Sequence, residues 1–259
     1  MIQFGPSGLG GVKEAISNLE EYAKKELKAC EIAFTYGIYI KKGEGKAIGD
    51  AAKKLGIRLS IHAPYWINLN SKEKIKIEES KKRILDCCEI GEELGAKYVV
   101  FHAGFYGKMD RGEAYEVIRK GVEEVMEEVK RRNYSIKIAP ETMGKINIFG
   151  SVEEILKLHK DTGCAITVDF AHLKARVQGK TTYKEIYENF KELREIHAHF
   201  SGIAWGDKGE RNHELTEEKE IQELLEALPK NKDIVIINES PDPVGDSVKS
   251  LKISKTFGF

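Results

Sequence analysis

The sequence predicts an α/β fold, a single-domain (β/α)8 TIM barrel over residues 1–259, and three observations predict it. Eight short β-branched or apolar runs alternate with longer amphipathic, charge-rich runs. The chain length of 259 residues matches one such barrel. No Ser/Gly/Pro-rich linker or low-complexity tract interrupts the series.

Taken in order, IQF at 2–4 is followed by a helix over 11–27, and ACEIAF at 29–34 by a helix over 45–55. RLSIHA at 58–63 leads into a helix over 72–94, and YVVFHA at 98–103 into one over 112–131. IKIAPE at 136–141 precedes a helix over 152–159, and AITVDF at 165–170 precedes one over 183–193. IHAHF at 196–200 and IVIINE at 234–239 are the last two strands, with helices over 216–228 and near 246–253. Gly56 and Gly95 stand where left-handed residues end helices. In such a barrel the chemistry gathers at the C-terminal ends of the strands, where the βα loops converge.

Lys+Arg and Asp+Glu number 42 each, which excludes a strongly basic nucleic-acid coat but allows a groove whose positive charge comes partly from bound metal. Apolar runs such as IVII at 234–237 fall far short of the about 20 residues of a membrane span. The start, MIQFGPSGLG, lacks the basic region followed by an apolar stretch that a leader peptide would show, so none is expected. A cytoplasmic monomer without a membrane partner is expected. Cys30, Cys87, Cys88 and Cys164 form no CxxC and read as buried free thiols.

His62, His102, His172, His197 and His199 fall at or just beyond strand ends, together with Glu141, Asp169 and Glu239. Carboxylates there are costly to bury unless paired or coordinated, so something positive must sit among them. Imidazole nitrogen and carboxylate oxygen are the donors of a zinc-like divalent ion, and this set is too large for one ion. Two ions bridged by a carboxylate suit displacement at phosphorus.

Other residues have plainer roles. His159 ends a helix and suits its dipole. SGLGG at 7–11 lacks the GK[ST] of a phosphate loop. The lysines of 173–180 and 248–255 read as a solvated face. Trp66 and Trp205 could each stack on a nucleotide, although Trp66, directly after Tyr65, could instead simply pack inward.

HAPYWINL at 62–69, VFHAG at 100–104, PETMG at 140–144, VDFAH at 168–172, IHAHFSG at 196–202 and INESP at 237–241 together resemble the endonuclease IV family of apurinic/apyrimidinic endonucleases, tri-zinc barrel enzymes. The resemblance spans nearly the whole chain. It implies cleavage of the phosphodiester 5′ to an abasic site in double-stranded DNA, with two or three Zn2+ ions, Mn2+ being the alternative. It also implies that His62 and His102 hold one ion and that Glu141, the catalytic carboxylate, bridges to a second completed by Asp169, His197 and Glu239. His199 would support His197, His172 would turn to a third ion, and Tyr65 would enter the DNA at the lesion.

The chain departs from that family twice. Where the family completes its third site with Asp-Arg-His, GERNHELT at 209–216 puts Glu210 at the Asp position and Asn212 at the His position, with His213 one residue late. Either a loop shift lets His213 serve with Glu210, the reading taken forward, or the third site is empty. Secondly, TYGIYIKKGEG at 35–45 keeps only Lys41 and Lys42 where the family has a basic DNA-penetrating segment. The alternative reading is a sugar isomerase or epimerase of the related barrel superfamily, with one metal on two carboxylates and a His; a catalytically silent nucleic-acid-binding barrel is the third.

Overall fold

A computed structural model describes all residues, 1–259. Eight parallel strands form the barrel: β1 (Ile2–Pro6), β2 (Ala29–Ala33), β3 (Arg58–His62), β4 (Tyr98–Phe101), β5 (Lys137–Pro140), β6 (Thr167–Asp169), β7 (Glu195–Phe200) and, after a hairpin of β8 (Gly202–Gly206) and β9 (Gly209–Glu214), β10 (Asp233–Asn238). Around them lie α1 (Ala15–Lys24), α2 (Gly45–Leu55), α3 (Lys74–Leu94), α4 (Arg111–Arg131), α5 (Val152–Thr162), α6 (Phe170–Arg176), α7 (Tyr183–Phe190), α8 (Glu218–Ala227) and α9 (Pro243–Thr256).

The strands are mostly apolar because both faces are buried, one by helices and one by the barrel interior. Ile61, Val99, Phe101, Ile138, Val168, Ile234 and Ile236 join the core between sheet and helices. Their alternates, such as Ser60, His62, Val100, Glu141, Thr167 and Asp169, therefore face the interior.

Two four-stranded arcs, β1-β10-β7-β6 and β2-β3-β4-β5, meet at two short seams. One is the Ser7–Glu31 bridge, where Gly8 N donates to Glu31 O at 2.8 Å; the other is the Glu141–Thr167 bridge, where Thr142 N donates to Thr167 O at 3.1 Å. The first requires Gly5, because a Cβ there would stand 1.8 Å from Ala29 O.

All eight expected strands form, with ends moved by a residue or two. Gly56 and Gly95 adopt left-handed φ of 68° and 63° as helix caps. The strand expected to run to 170 stops at Asp169, whose side chain instead accepts from His172 N at 2.6 Å and caps α6, a helix the sequence reading lacks. α9 starts earlier than expected, at Pro243, whose fixed φ suits a first helical turn. The hairpin β8–β9 is the other unforeseen element. Its Gly206-Asp207-Lys208-Gly209 turn was its legible signal.

At the opposite end of the barrel, Glu195 ties β4, β5 and β7 together. It pairs with Lys97, accepts from Tyr98 Oη at 2.6 Å and lies 3.5 Å from Lys137 Nζ. Partial burial opposes its charge, but these partners prevail and draw its pKa down to about 2. A depressed carboxylate stabilises the fold above its unfolded pKa of about 4.3 and ceases to do so as pH falls through its folded value. We expect Glu195→Gln to flatten the acid limb of stability between about pH 4.5 and 2; an unchanged acid limb in urea titrations would remove Glu195 from that role.

All four cysteines are buried and free, as expected. No helix is long and apolar enough to cross a membrane.

Candidate metal centre

At the C-terminal mouth, Glu141 is fully buried and its two oxygens face different imidazoles. Oε2 lies 3.2 Å from His62 Nε2 and 3.0 Å from His102 Nε2. Oε1 lies 3.2 Å from His199 Nδ1 and 3.2 Å from His172 Nδ1. One carboxylate thus joins two sets of donors, His62–His102–Glu141 and Glu141–Asp169–His199–Glu239. His62 is held for this by donating Nδ1–H to Ala63 O at 2.9 Å, which leaves Nε2 as the lone-pair nitrogen.

A third set, His172–Glu210–His213, adjoins the second. His172 donates Nδ1–H to Thr142 O at 3.1 Å and turns Nε2 to within 3.4 Å of Glu210 Oε2. His213 Nδ1 meets Ser201 Oγ at 2.7 Å, leaving its Nε2 free. Residues 210 and 213, an odd number apart, would face opposite sides of a regular strand. A bulge brings them round: Trp205 pairs with Glu210 and Ala204 with Asn212, so Arg211 has no partner. Asn212 is exposed and turned aside. The hairpin is pinned to the loop after β5 at Gly209, where φ is 89° and a Cβ would stand 2.1 Å from Gly144 O.

His199 stands with Asp169 and Glu239, where the sequence led us to expect His197; His197 falls instead in a deeper cluster with Glu31 and His199. Both histidines face the interior, but β7 pairs with β6 so that His199 is level with Asp169 and His197 with Thr167, one layer deeper. His197 Nε2 instead meets Glu31 Oε2 at 3.0 Å. Glu31 was missed by the sequence reading; a charged residue inside the apolar run ACEIAF was its signal.

Burial and neighbouring charge set the protonation of these groups. Burial opposes the charge of Glu141, yet His199, His102 and His172 hold it well below the usual carboxylate range. Burial, aided by the charges of Glu141 and Glu239 and opposed by His172, lifts Asp169 to about 6. Burial also disfavours the His62 cation, but Glu141 outweighs it and raises the pKa to about 9. Burial prevails at His102 and His197, which are lowered. Asp169 Oδ2 is buried without any hydrogen-bond partner. A buried carboxylate oxygen with no hydrogen bond, only a 3.3 Å contact to His172 Nδ1, fits a divalent cation, and the mixed N/O donors fit zinc or manganese.

The sequence profile of the xylose isomerase-like TIM barrel family matches residues 19–256. The chain belongs to this family. It is 30% identical over 267 residues to an uncharacterized protein, MJ0133, of Methanocaldococcus jannaschii, covering 97% of this chain and 96% of that protein. It is 25% identical over 169 residues to a probable endonuclease 4 of Aquifex aeolicus, covering 60% of this chain and 59% of that one. Among solved structures, SacUVDE superposes with a TM-score of 0.77 at 16% identity, covering 100% and 99% of the two chains. Endonuclease IV of Thermus thermophilus gives 0.72 at 19%, covering 98% of each. A D-tagatose 3-epimerase-like protein gives 0.69 at 23%, covering 98% and 96%. At these identities the structures share the fold with this chain, and the chemistry must be read from its own residues.

This xylose isomerase-like barrel also places the remaining expected residues. Tyr65 is half-exposed at the rim, its ring centroid 5.8 Å from that of His102. Trp66 is exposed, so of its two readings inward packing does not hold. Lys42 pairs with Glu89 of α3 at 2.6 Å, Lys41 is exposed, and Tyr36 is exposed on the same loop. His159 sits in the last turn of α5, with Nδ1 2.6 Å from Cys164 O. It borders a cleft of about 1010 Å³ at the N-terminal end of the barrel. Size does not make that cleft the reaction site, since every metal-type donor cluster lies elsewhere.

Proposed function

We propose that this barrel is a multi-metal phosphodiesterase of DNA repair that cuts 5′ to an abasic site. The observation that carries this reading is Glu141, whose two oxygens serve two donor sets while a third set lies beside the second. His62, His102 and Glu141 would hold one ion, Glu141, Asp169, His199 and Glu239 a second, and His172, Glu210 and His213 a third. Such ions, when bound, supply Lewis acidity and neutralise charge on phosphate oxygens. The chain's own work is to hold the donors. Backbone carbonyls of Ala63 and Thr142 fix His62 and His172, Ser201 fixes His213, and Glu141 keeps the first two sets in register. Tyr65, exposed beside His62 and His102, is placed to fill the gap left by a missing base. An abasic nucleotide is also easier to extrude, having less stacking to lose.

A one-metal sugar epimerase is the competing reading, favoured by the Glu141–Asp169–His199–Glu239 group, which alone would suffice for it. It leaves His62, His102 and the third set without a task. Zinc content together with cleavage of a duplex carrying one abasic site separates the two. Two or more ions with incision 5′ to the lesion support the nuclease; one ion with ketose epimerisation and no incision overturns it.

The hairpin provides a more local test. We expect His213→Ala to lower zinc content by about one ion per chain and to slow incision, with Asn212→Ala near wild type, because a neutral exposed amide is a poor zinc ligand. Unchanged zinc and rate in His213→Ala would mean that the third set holds no ion.

A further inference from the structure

Below the mouth, the barrel interior buries a carboxylate outside those three donor sets, in a fourth, deeper cluster of Glu31, His197 and His199 that shares His199 with the second set. Glu31 is fully buried, and only imidazoles and a hydroxyl surround it. Its Oε2 accepts from Ser60 Oγ at 2.7 Å and lies 3.0 Å from His197 Nε2. Its Oε1 lies 2.8 Å from His199 Nε2, a charge contact rather than a hydrogen bond, since neither of those two buried atoms meets hydrogen-bond geometry with any partner. The opposite nitrogen of His199, Nδ1, faces Glu141 at 3.2 Å and Glu239 at 3.6 Å.

We propose that Glu31, braced by Ser60 and His197, is the positioning residue of the second metal set. It keeps the proton of His199 on Nε2, so that Nδ1 presents its lone pair toward Glu141, Asp169 and Glu239. His62, His172 and His213 are oriented through neutral groups, a carbonyl or a hydroxyl. His199 has a carboxylate, Glu31, at the nitrogen that faces away from the second set, which makes the ring a stronger donor. Burying Glu31 carries a desolvation cost that three imidazole and hydroxyl contacts offset, and its charge acts on the one imidazole that belongs to the second set. The backbone fixes the arrangement as well, since Glu31 sits at the β1/β2 seam, where Gly8 N donates to its carbonyl.

This inference rests on the metal-centre reading, and the experiment separates the two. Wild type, Glu31→Gln and His197→Ala are stripped and titrated with zinc alone against a competing chelator, and the imidazole 15N shifts of the loaded proteins are recorded. We expect wild type to show His199 protonated on Nε2 and zinc-bound through Nδ1. Glu31→Gln should weaken one ion by about 10- to 100-fold and leave the others unchanged, with the His199 15N shifts moved. His197→Ala, which removes one of the two partners of Glu31 Oε2 and leaves Ser60, should weaken the same ion a few-fold. Wild type that takes up no zinc overturns both readings. Zinc bound equally by wild type and a folded Glu31→Gln, with unmoved His199 shifts, overturns this one alone. If Glu31→Gln does not fold, undiminished affinity in His197→Ala overturns it.

Discussion

Glu141→Gln should cut turnover on an abasic duplex by about 10²-fold or more and remove more than one zinc ion per chain. Loss of a group that orients or completes a metal site typically costs 10- to 100-fold in affinity or activity. Glu141 stands in two such sites at once, with His62 and His102 on one oxygen and His199 on the other. The substitution keeps shape but deletes the charge that both sets share. Rate and zinc content should therefore fall together. A variant that cuts at near-normal rate with its full complement of zinc would place Glu141 outside the reacting centre.

Metal removal should lower the thermal midpoint by about 10 °C or more. Glu141 and Asp169 are both fully buried, and Asp169 Oδ2 has no hydrogen-bond partner. An ion that binds only the folded chain stabilises it by about 4 kcal/mol when its free concentration is a thousand times its Kd, and each kcal/mol shifts the midpoint of a chain this size by about 2–4 °C. The stripped protein should recover its midpoint on zinc addition, with the gain rising with the logarithm of free zinc. A midpoint indifferent to chelation would show that the carboxylates are matched by protonated imidazoles alone.

The two departures from the family's pattern illustrate how far residues alone carry such a reading. The one-residue displacement of His213 is visible in GERNHELT, but a spacing of three residues is ambiguous until the partner strand is known. The bulge at Arg211 resolves it by restoring Glu210 and His213 to one side. The scarcity of lysine in the loop at 35–45 was equally visible, whereas the loss of Lys42 to Glu89 across 47 residues was not.

By itself the sequence determined the eight strands, most of the helices and the end of the barrel where His62, His102, Glu141, Asp169 and Glu239 gather, because hydrophobic period and strand-end polarity are local properties. Tertiary structure alone decided depth. Period 2 turns His197 and His199 to the same side, but only the pairing of β7 with β6 sets His199 level with Asp169 and leaves His197 one layer below, against Glu31. Register between strands distant in the chain is fixed by closure of the whole barrel, whose strands tilt and stagger together, and no short stretch of residues encodes it.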